Sequence, residues 1–134
     1  MDIDEVRAFI TSNHRAVLAT TRRDGGVQMS PVVVGVDDDG ALIISTREPT
    51  SKVANLRRNP KAYLCIMNDR FYGSWAQAEG TVTIESLPGA MDGLVRYYRS
   101  IAGEHTNWDE YRAAMEKERR VLLHMRIERV APST

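Results

Sequence analysis

The chain has 134 residues, 43% of them hydrophobic and 27% charged, a composition typical of one soluble globular domain over residues 1–134. Its 18 Lys and Arg residues balance 18 Asp and Glu residues. The chain therefore lacks the excess of positive charge with which proteins bind nucleic acids and anionic membranes. The single cysteine, Cys65, excludes an internal disulfide and is compatible with the reducing cytoplasm, and no apolar run approaches the roughly 18 residues that cross a bilayer.

The spacing of apolar residues predicts helices and strands along the whole chain. In chain order they are a helix over residues 2–13, strands over 16–21, 27–36 and 41–46, a short helix from about residue 51 to the Asn59–Pro60 pair, strands over 61–67 and 73–85, helices over 87–102 and 108–117, and a strand over 120–130. Short turns such as Asp24-Gly25-Gly26 join the strands, so we expect a mostly antiparallel sheet. Six strands in so short a chain predict an α+β fold, mainly β, with a closed or nearly closed barrel and flanking helices.

Three features of the predicted strands depart from simple alternation. Pro31 cannot donate to a ladder, so it predicts a bulge, an edge or an interruption in the second strand. The run over residues 32–34 is all valine and predicts burial on both faces of that strand. Gly80 predicts a bulge in the long fifth strand.

A polar cluster surrounds the predicted start of the short helix. Ser45 and Thr46 end the third strand, and Thr50, Ser51 and Lys52 follow a proline-marked turn. Ser51 is predicted to be the N-cap, because a serine hydroxyl can accept from N–H groups of the first turn. Hydroxyls, a helix dipole and an ammonium group together suit a phosphate. The alternative is a capped surface helix with a solvated lysine.

Other candidate sites give weaker signals. His14, His105 and His124 have no zinc-ligand spacing and are interpreted as structural. Residues 37–39 are adjacent aspartates without EF-hand spacing, so we expect a solvated turn there and predict no metal site. Nothing in the spacing pairs a nucleophile with a base, so no catalytic residue is assigned.

Trp75 and Gln77 lie on one face of the fifth predicted strand. An indole and an amide at these positions could border a planar heteroaromatic ligand. The alternative is a tryptophan on the barrel surface that packs under a helix.

Five segments, taken together and in order, resemble the pyridoxamine 5′-phosphate oxidase-like split-barrel proteins, and more narrowly their subgroup that uses the deazaflavin coenzyme F420. They are VLATTRRDGGVQMSPVVV (17–34), ISTREPTSKVANLRRNP (44–60), WAQAEGTVTI (75–84), YYRSIAGEHTNWDEYRAAM (97–115) and RRVLLHMRIERV (119–130). They cover nearly the whole chain, and the IAGEH-x-x-W-x-x-Y part is the most distinctive.

This resemblance implies a six-stranded split barrel that forms a homodimer, with two coenzyme sites at the subunit interface and hydride transfer between F420 and a small conjugated substrate. Lys52, with Ser51 beside it, would hold the phosphate, and the fifth strand would contribute residues from the other subunit. The coenzyme-binding residues that the resemblance implies are Gln28, Met29, Ser30, Pro31, Val32, Ser45, Thr46, Ser51, Lys52, Asn55, Trp75, Ala76 and Gln77.

Two alternatives stay open beside this interpretation. FMN could replace F420, although Thr50 stands where the FMN-using oxidases of the wider family sometimes carry a basic residue. The chain could also bind or carry F420 without catalysis, since no extended substrate loop is evident. For a proton donor, Ser30, Tyr72 or a water are equal candidates, and Arg47, Arg57 and Arg58 are the cations near the acidic tail of the coenzyme.

Overall fold

The computed structural model describes residues 1–70 and 72–132, which form four helices and seven strands. They are α1 (Ile3–Ile10), β1 (Arg15–Thr21), β2 (Val27–Val33), β3 (Gly35–Val36), β4 (Leu42–Arg47), α2 (Ser51–Arg58), β5 (Lys61–Met67), β6 (Trp75–Glu85), α3 (Met91–Ala102), α4 (Trp108–Lys117) and β7 (Arg120–Ala131). Within these two ranges, no helix has the length and hydropathy that a membrane crossing requires.

One antiparallel sheet holds all seven strands in the order β2-β1-β5-β6-β7-β4-β3. β2 and β3 are parts of one extended segment, yet β2 pairs with β1 and β3 pairs with β4, at opposite edges of the sheet. This segment therefore connects the two edges and curls the sheet into a split barrel. The predicted split-barrel fold is confirmed, and Pro31 lies on β2, at the edge of the ladder.

The strand predicted over residues 27–36 is two strands in the structure, which raises the count from six to seven. The break is at Val34, whose N–H donates to the His14 carbonyl over 2.8 Å. The His14 ring is tied to the same point, since its Nδ1 lies 2.9 Å from the Val34 carbonyl oxygen. These contacts hold the segment where it changes pairing partner, which is a structural role for His14.

Alternation along β1, β5 and β6 turns every second side chain into the barrel. Leu18, Leu64 and Ala78 lie opposite one another across these strands and are at most 1% exposed. Helices α1 and α2 close the interior with apolar side chains of their own, which are Val6, Ile10, Val53 and Leu56.

Gly80 occupies the bulge that the sequence predicted in the long strand. The register between β6 and β7 shifts between Glu79 and Gly80. A Cβ atom at Gly80 would overlap the backbone carbonyl of Arg126, so only glycine allows β7 to approach this closely.

Outside the barrel, α3 covers the face of β4 and β7. Ile43, Leu94 and Leu122 are fully buried there in a second apolar cluster. Helix α3 begins at Met91, later than the predicted residue 87, because residues 87–90 form a turn.

No described helix covers the outer face of β2, β1, β5 and β6. Met29 is 68% exposed on this face, Trp75 45% and Val33 44%. The predicted burial of the valine run on both faces is therefore wrong for the single chain: Val34 is buried, but Val33 points away from the barrel.

Candidate functional site

A cleft of ≈ 480 Å³ lies at the split of the barrel, between β2 and β4 and beneath the last two helices. Strand residues form one wall, and α2, α3, α4 and the start of β7 form the other. The lining residues are Pro31, Val32, Val33, Ser45, Thr46, Lys52, Tyr97, Tyr98, His105, Tyr111, Ala114, Met115 and Arg120. Five of the predicted coenzyme-binding residues, namely Pro31, Val32, Ser45, Thr46 and Lys52, thus come together in one cavity.

Tyr97 of α3 bridges the two strands at the split. Its hydroxyl donates to the Val33 carbonyl over 2.7 Å. Burial raises the pKa of Tyr97, and a hydrogen bond with the backbone of Ser45 opposes that rise. The phenol therefore stays protonated at neutral pH and fixes the spacing between β2 and β4.

Lys52, in the first turn of α2, is one of two cations among the described residues that line the cleft, and Arg120 is the other. Burial lowers the pKa of Lys52, and the nearby charge of Arg120 lowers it further. Arg120 is paired with Glu118, at 3.0 and 2.8 Å, whereas no acidic side chain among residues 1–70 and 72–132 pairs with Lys52. A half-buried ammonium without a counter-ion, next to a guanidinium, favours an anion at this point.

The start of α2 differs from the prediction by one residue. Thr50 is the N-cap, with extended backbone angles (φ −120°, ψ 156°), and Ser51 is already helical. The Thr50 hydroxyl donates backward to the Arg47 carbonyl over 2.9 Å, so no side chain caps the helix. The predicted capping role of Ser51 is wrong, and the first N–H groups of α2 rely on other acceptors.

Gln28, Ser51 and Asn55 line a neighbouring depression of ≈ 440 Å³ together with three arginines. Asn55 is buried, and its amide donates to Thr20 Oγ1 over 3.1 Å and to Gln28 Oε1 over 3.4 Å. Its oxygen accepts from Arg58 over 2.9 Å. The amide of Asn55 is therefore engaged in holding α2 against the barrel.

The other predicted residues do not line the cleft of their own chain. Met29 points outward from β2, whereas the Ser30 hydroxyl points inward and is the one buried side-chain polar atom in the described ranges without a hydrogen-bond partner. Trp75 and Gln77 lie on the uncovered outer face of β6, and the Ala76 side chain is fully buried inside the barrel.

Sequence reasoning missed the wall that α3 and α4 provide. Tyr98, His105, Trp108 and Tyr111 form one aromatic cluster with ring centroids 5.0–5.8 Å apart. The Tyr111 hydroxyl donates to the Leu94 carbonyl over 2.8 Å, and burial raises the pKa of Tyr111 to about 12. The distinctive IAGEH-x-x-W-x-x-Y segment contains three of these four aromatic residues, but their spacing alone did not show which side chains face the cleft.

Within the described ranges, no group of three or more His, Cys, Asp or Glu side chains is placed to hold an ion.

Comparison with known proteins identifies the family of the chain. The model of the family described as pyridoxamine 5′-phosphate oxidase matches residues 3–133. A conserved hypothetical protein from Mycobacterium tuberculosis is similar in structure, with a TM-score of 0.77 and 21% identity over 100% of this chain and 91% of that one. An F420 reductase superposes with a TM-score of 0.73 and 18% identity over 93% of this chain and 94% of that one. At these identities the superpositions establish the shared fold, and the match over nearly the entire sequence shows that the chain belongs to the pyridoxamine 5′-phosphate oxidase family.

Proposed function

We propose that the chain is an F420H2-dependent oxidoreductase that transfers a hydride between the deazaflavin coenzyme and a small conjugated substrate. The observation that carries the proposal is Lys52, a half-buried cation at the start of α2 that pairs with no acidic side chain in the described part of the chain. Membership of an oxidoreductase family and a fold shared with an F420 reductase support the same function.

The residues of the cleft fit an anionic coenzyme with a flat ring. Lys52 and the uncapped first turn of α2 would hold the phosphate. Pro31 and Val32 on one strand, with Ser45 and Thr46 on the other, would border the ring. The bound coenzyme supplies the hydride chemistry, and this chain orients it, keeps water out and provides polar contacts.

A second copy of the chain would complete the site. The outer face of β2, β1, β5 and β6 exposes Met29, Val33 and Trp75, and a second copy would bury these side chains. In such a homodimer, Trp75 and Gln77 of one subunit would border the coenzyme of the other. Ala76 would contribute backbone atoms only, because its side chain is buried in its own barrel.

A fluorescence titration tests the coenzyme. Quenching of F420 at micromolar concentration, with no FMN retained on purification, is the expected result. A yellow protein that keeps FMN would instead support an FMN-dependent oxidoreductase, the second candidate, which the family description favours.

Turnover separates an enzyme from a carrier. Oxidation of F420H2 in the presence of quinones or enones is expected from an enzyme. Tight F420 binding without turnover of any compound in such a panel would favour a non-catalytic F420-binding protein.

A further inference from the structure

A hydrogen bond within its own loop fixes the tautomer of the neutral His105 ring. The residue lies between α3 and α4, and its Nδ1 accepts the backbone N–H of Asn107 over 2.8 Å. An Nδ1 that accepts a hydrogen bond carries no proton, so the neutral ring has its proton on Nε2. Nε2 makes no hydrogen bond to any described residue, which leaves one N–H donor unused.

The aromatic cluster fixes the orientation of this ring. The His105 centroid lies 5.0 Å from Tyr98, 5.6 Å from Tyr111 and 5.7 Å from Trp108. Tyr111 is anchored in turn by its hydrogen bond to the Leu94 carbonyl. Contacts with three rings restrict the imidazole to a narrow range of orientations, so its donor is preorganised.

His105 lines the same cleft as the strand residues Pro31 and Ser45. It belongs to the side that α3, α4 and the loop between them form. A substrate stacked on a coenzyme ring along the strands would lie between that ring and the helical wall. On this wall, Tyr97 and Tyr111 already donate to backbone carbonyls. The Tyr98 hydroxyl and the His105 Nε2–H make no hydrogen bond to a described residue, and of these two groups the imidazole is the one held by a hydrogen bond to its other nitrogen.

We propose that His105 donates its Nε2–H to the carbonyl oxygen of a conjugated carbonyl substrate, such as a quinone or an enone. The inference rests on the proposed function, because the coenzyme ring sets where the substrate stacks. It assigns a role in substrate binding to a histidine that sequence reasoning interpreted as structural.

The chemistry of hydride acceptance explains why a donor is useful here. A conjugated carbonyl compound that takes up a hydride, supplied by the reduced coenzyme, at its β-carbon forms a C–H bond there. The C=C electron pair moves toward the carbonyl, and negative charge collects on the oxygen as an enolate. A fixed N–H strengthens its hydrogen bond as this charge develops. His105 keeps its proton, and the enolate is protonated by solvent to give the saturated ketone.

Binding of two matched probes tests the donor without any turnover. The first probe is 9-fluorenone, a planar conjugated ketone without an alkene that Cys65 could attack, and the second is fluorene, which has the same shape without the carbonyl. We expect the F420-loaded protein to bind fluorenone about five- to tenfold more tightly than fluorene, the range for one hydrogen bond. His105→Phe keeps an aromatic ring and should abolish this preference, whereas the amide of His105→Gln should restore most of it.

Nuclear magnetic resonance of ¹⁵N-histidine-labelled protein supplies an independent readout. The neutral His105 ring should show the Nε2–H tautomer, because its Nδ1 accepts the Asn107 N–H. Fluorenone should shift this Nε2–H signal, and fluorene should not.

Trp108→Phe is the matched control. It alters the same aromatic cluster, but the donor that it removes, the indole N–H, already bonds to Glu104 and is not available to a substrate. It should keep the preference for fluorenone. Equal binding of both probes by the wild type, an unchanged preference in His105→Phe, or a lost preference in Trp108→Phe would each overturn the role of His105. Failure of the proposed function is distinct, because it appears as an absence of F420 binding in the titration.

Discussion

Lys52→Met is expected to weaken coenzyme binding without destabilising the free protein. Burial and the charge of Arg120 lower the pKa of Lys52, so the ammonium is less favourable in the folded chain than in the unfolded one. This cost is fully present below the lowered pKa and disappears above the ordinary value of 10.5. Methionine keeps the length of the side chain and removes the charge. The melting temperature at neutral pH should therefore be unchanged or higher.

The same substitution removes the cation that the phosphate would contact. A hydrogen bond to a charged group is worth about 1–3 kcal/mol, so the Kd for F420 should rise about five- to 150-fold. Fluorescence quenching of F420 measures this. For the wild type, the affinity should fall as the pH rises toward 10.5, and the fall should begin below that value because the pKa of Lys52 is lowered.

Lys61→Met is the matched control. The hydrogen bond to Glu128, 3.0 Å long, raises the pKa of Lys61, so its charge stabilises the fold. Its removal should lower the melting temperature and leave the F420 affinity unchanged. If Lys52→Met bound F420 as tightly as the wild type does, Lys52 would not be part of the site and the proposed function would lose its main support.

Three further substitutions test the framework of the site by urea denaturation. Gly80→Ala would force a Cβ into the carbonyl of Arg126 and should cost about 2–4 kcal/mol; a near-neutral effect would contradict the close approach at the bulge. Asn55→Ala should cost about 1–3 kcal/mol, because it leaves partners of the buried amide unsatisfied, and should change F420 affinity less than Lys52→Met does. Tyr97→Phe removes the bond to the Val33 carbonyl and should cost about 1 kcal/mol, and an unchanged stability would show that this bond does not hold the split.

The sequence predicted the elements well because their patterns are local. Alternation in the strands and the 3.6-residue spacing in the helices need only near neighbours, and Gly80 marks its bulge by its residue type alone. The end of α2 at Arg58, with Asn59 as the C-cap, followed from the proline after them. The N-cap was misassigned because Ser51 and Thr50 are both good caps, and only the backbone distinguishes them: it is extended at Thr50 and helical from Ser51.

The arrangement of the site depended on contacts that the sequence does not encode locally. The strand wall was predicted because Pro31, Ser45 and Lys52 lie in segments with clear polar or proline signals. The helical wall was missed because His105 meets the cleft only after α3 has crossed β4 and the chain has turned back. The exposure of Val33 was not predicted for a similar reason. A run of valines has the same sequence pattern whether a helix, a second chain or solvent covers its outer face.

The last prediction concerns the outer face of the sheet, which shares residues with the cleft. Val33 lies in one cross-strand row with Arg15, Met67 and Trp75, and it also lines the cleft. A second copy packed on this face would therefore approach the coenzyme site itself, so dimer formation and coenzyme binding should be coupled.

Trp75→Glu tests this coupling, because it removes an exposed indole from this face and would place a carboxylate in the interface, where burial of a charge is costly. We expect a wild-type dimer and a Trp75→Glu monomer in sedimentation velocity, with the F420 affinity of the variant reduced as well. Lys117→Glu changes an exposed residue at the end of α4 and should leave both properties unchanged. A monomeric Trp75→Glu variant that bound F420 as tightly as the wild-type dimer would show that one chain is sufficient for the site. A wild-type monomer would show that the exposed face has another role. The coupled loss would instead explain why Trp75 and Gln77 do not line the cleft of their own chain: their contacts would be made across the interface.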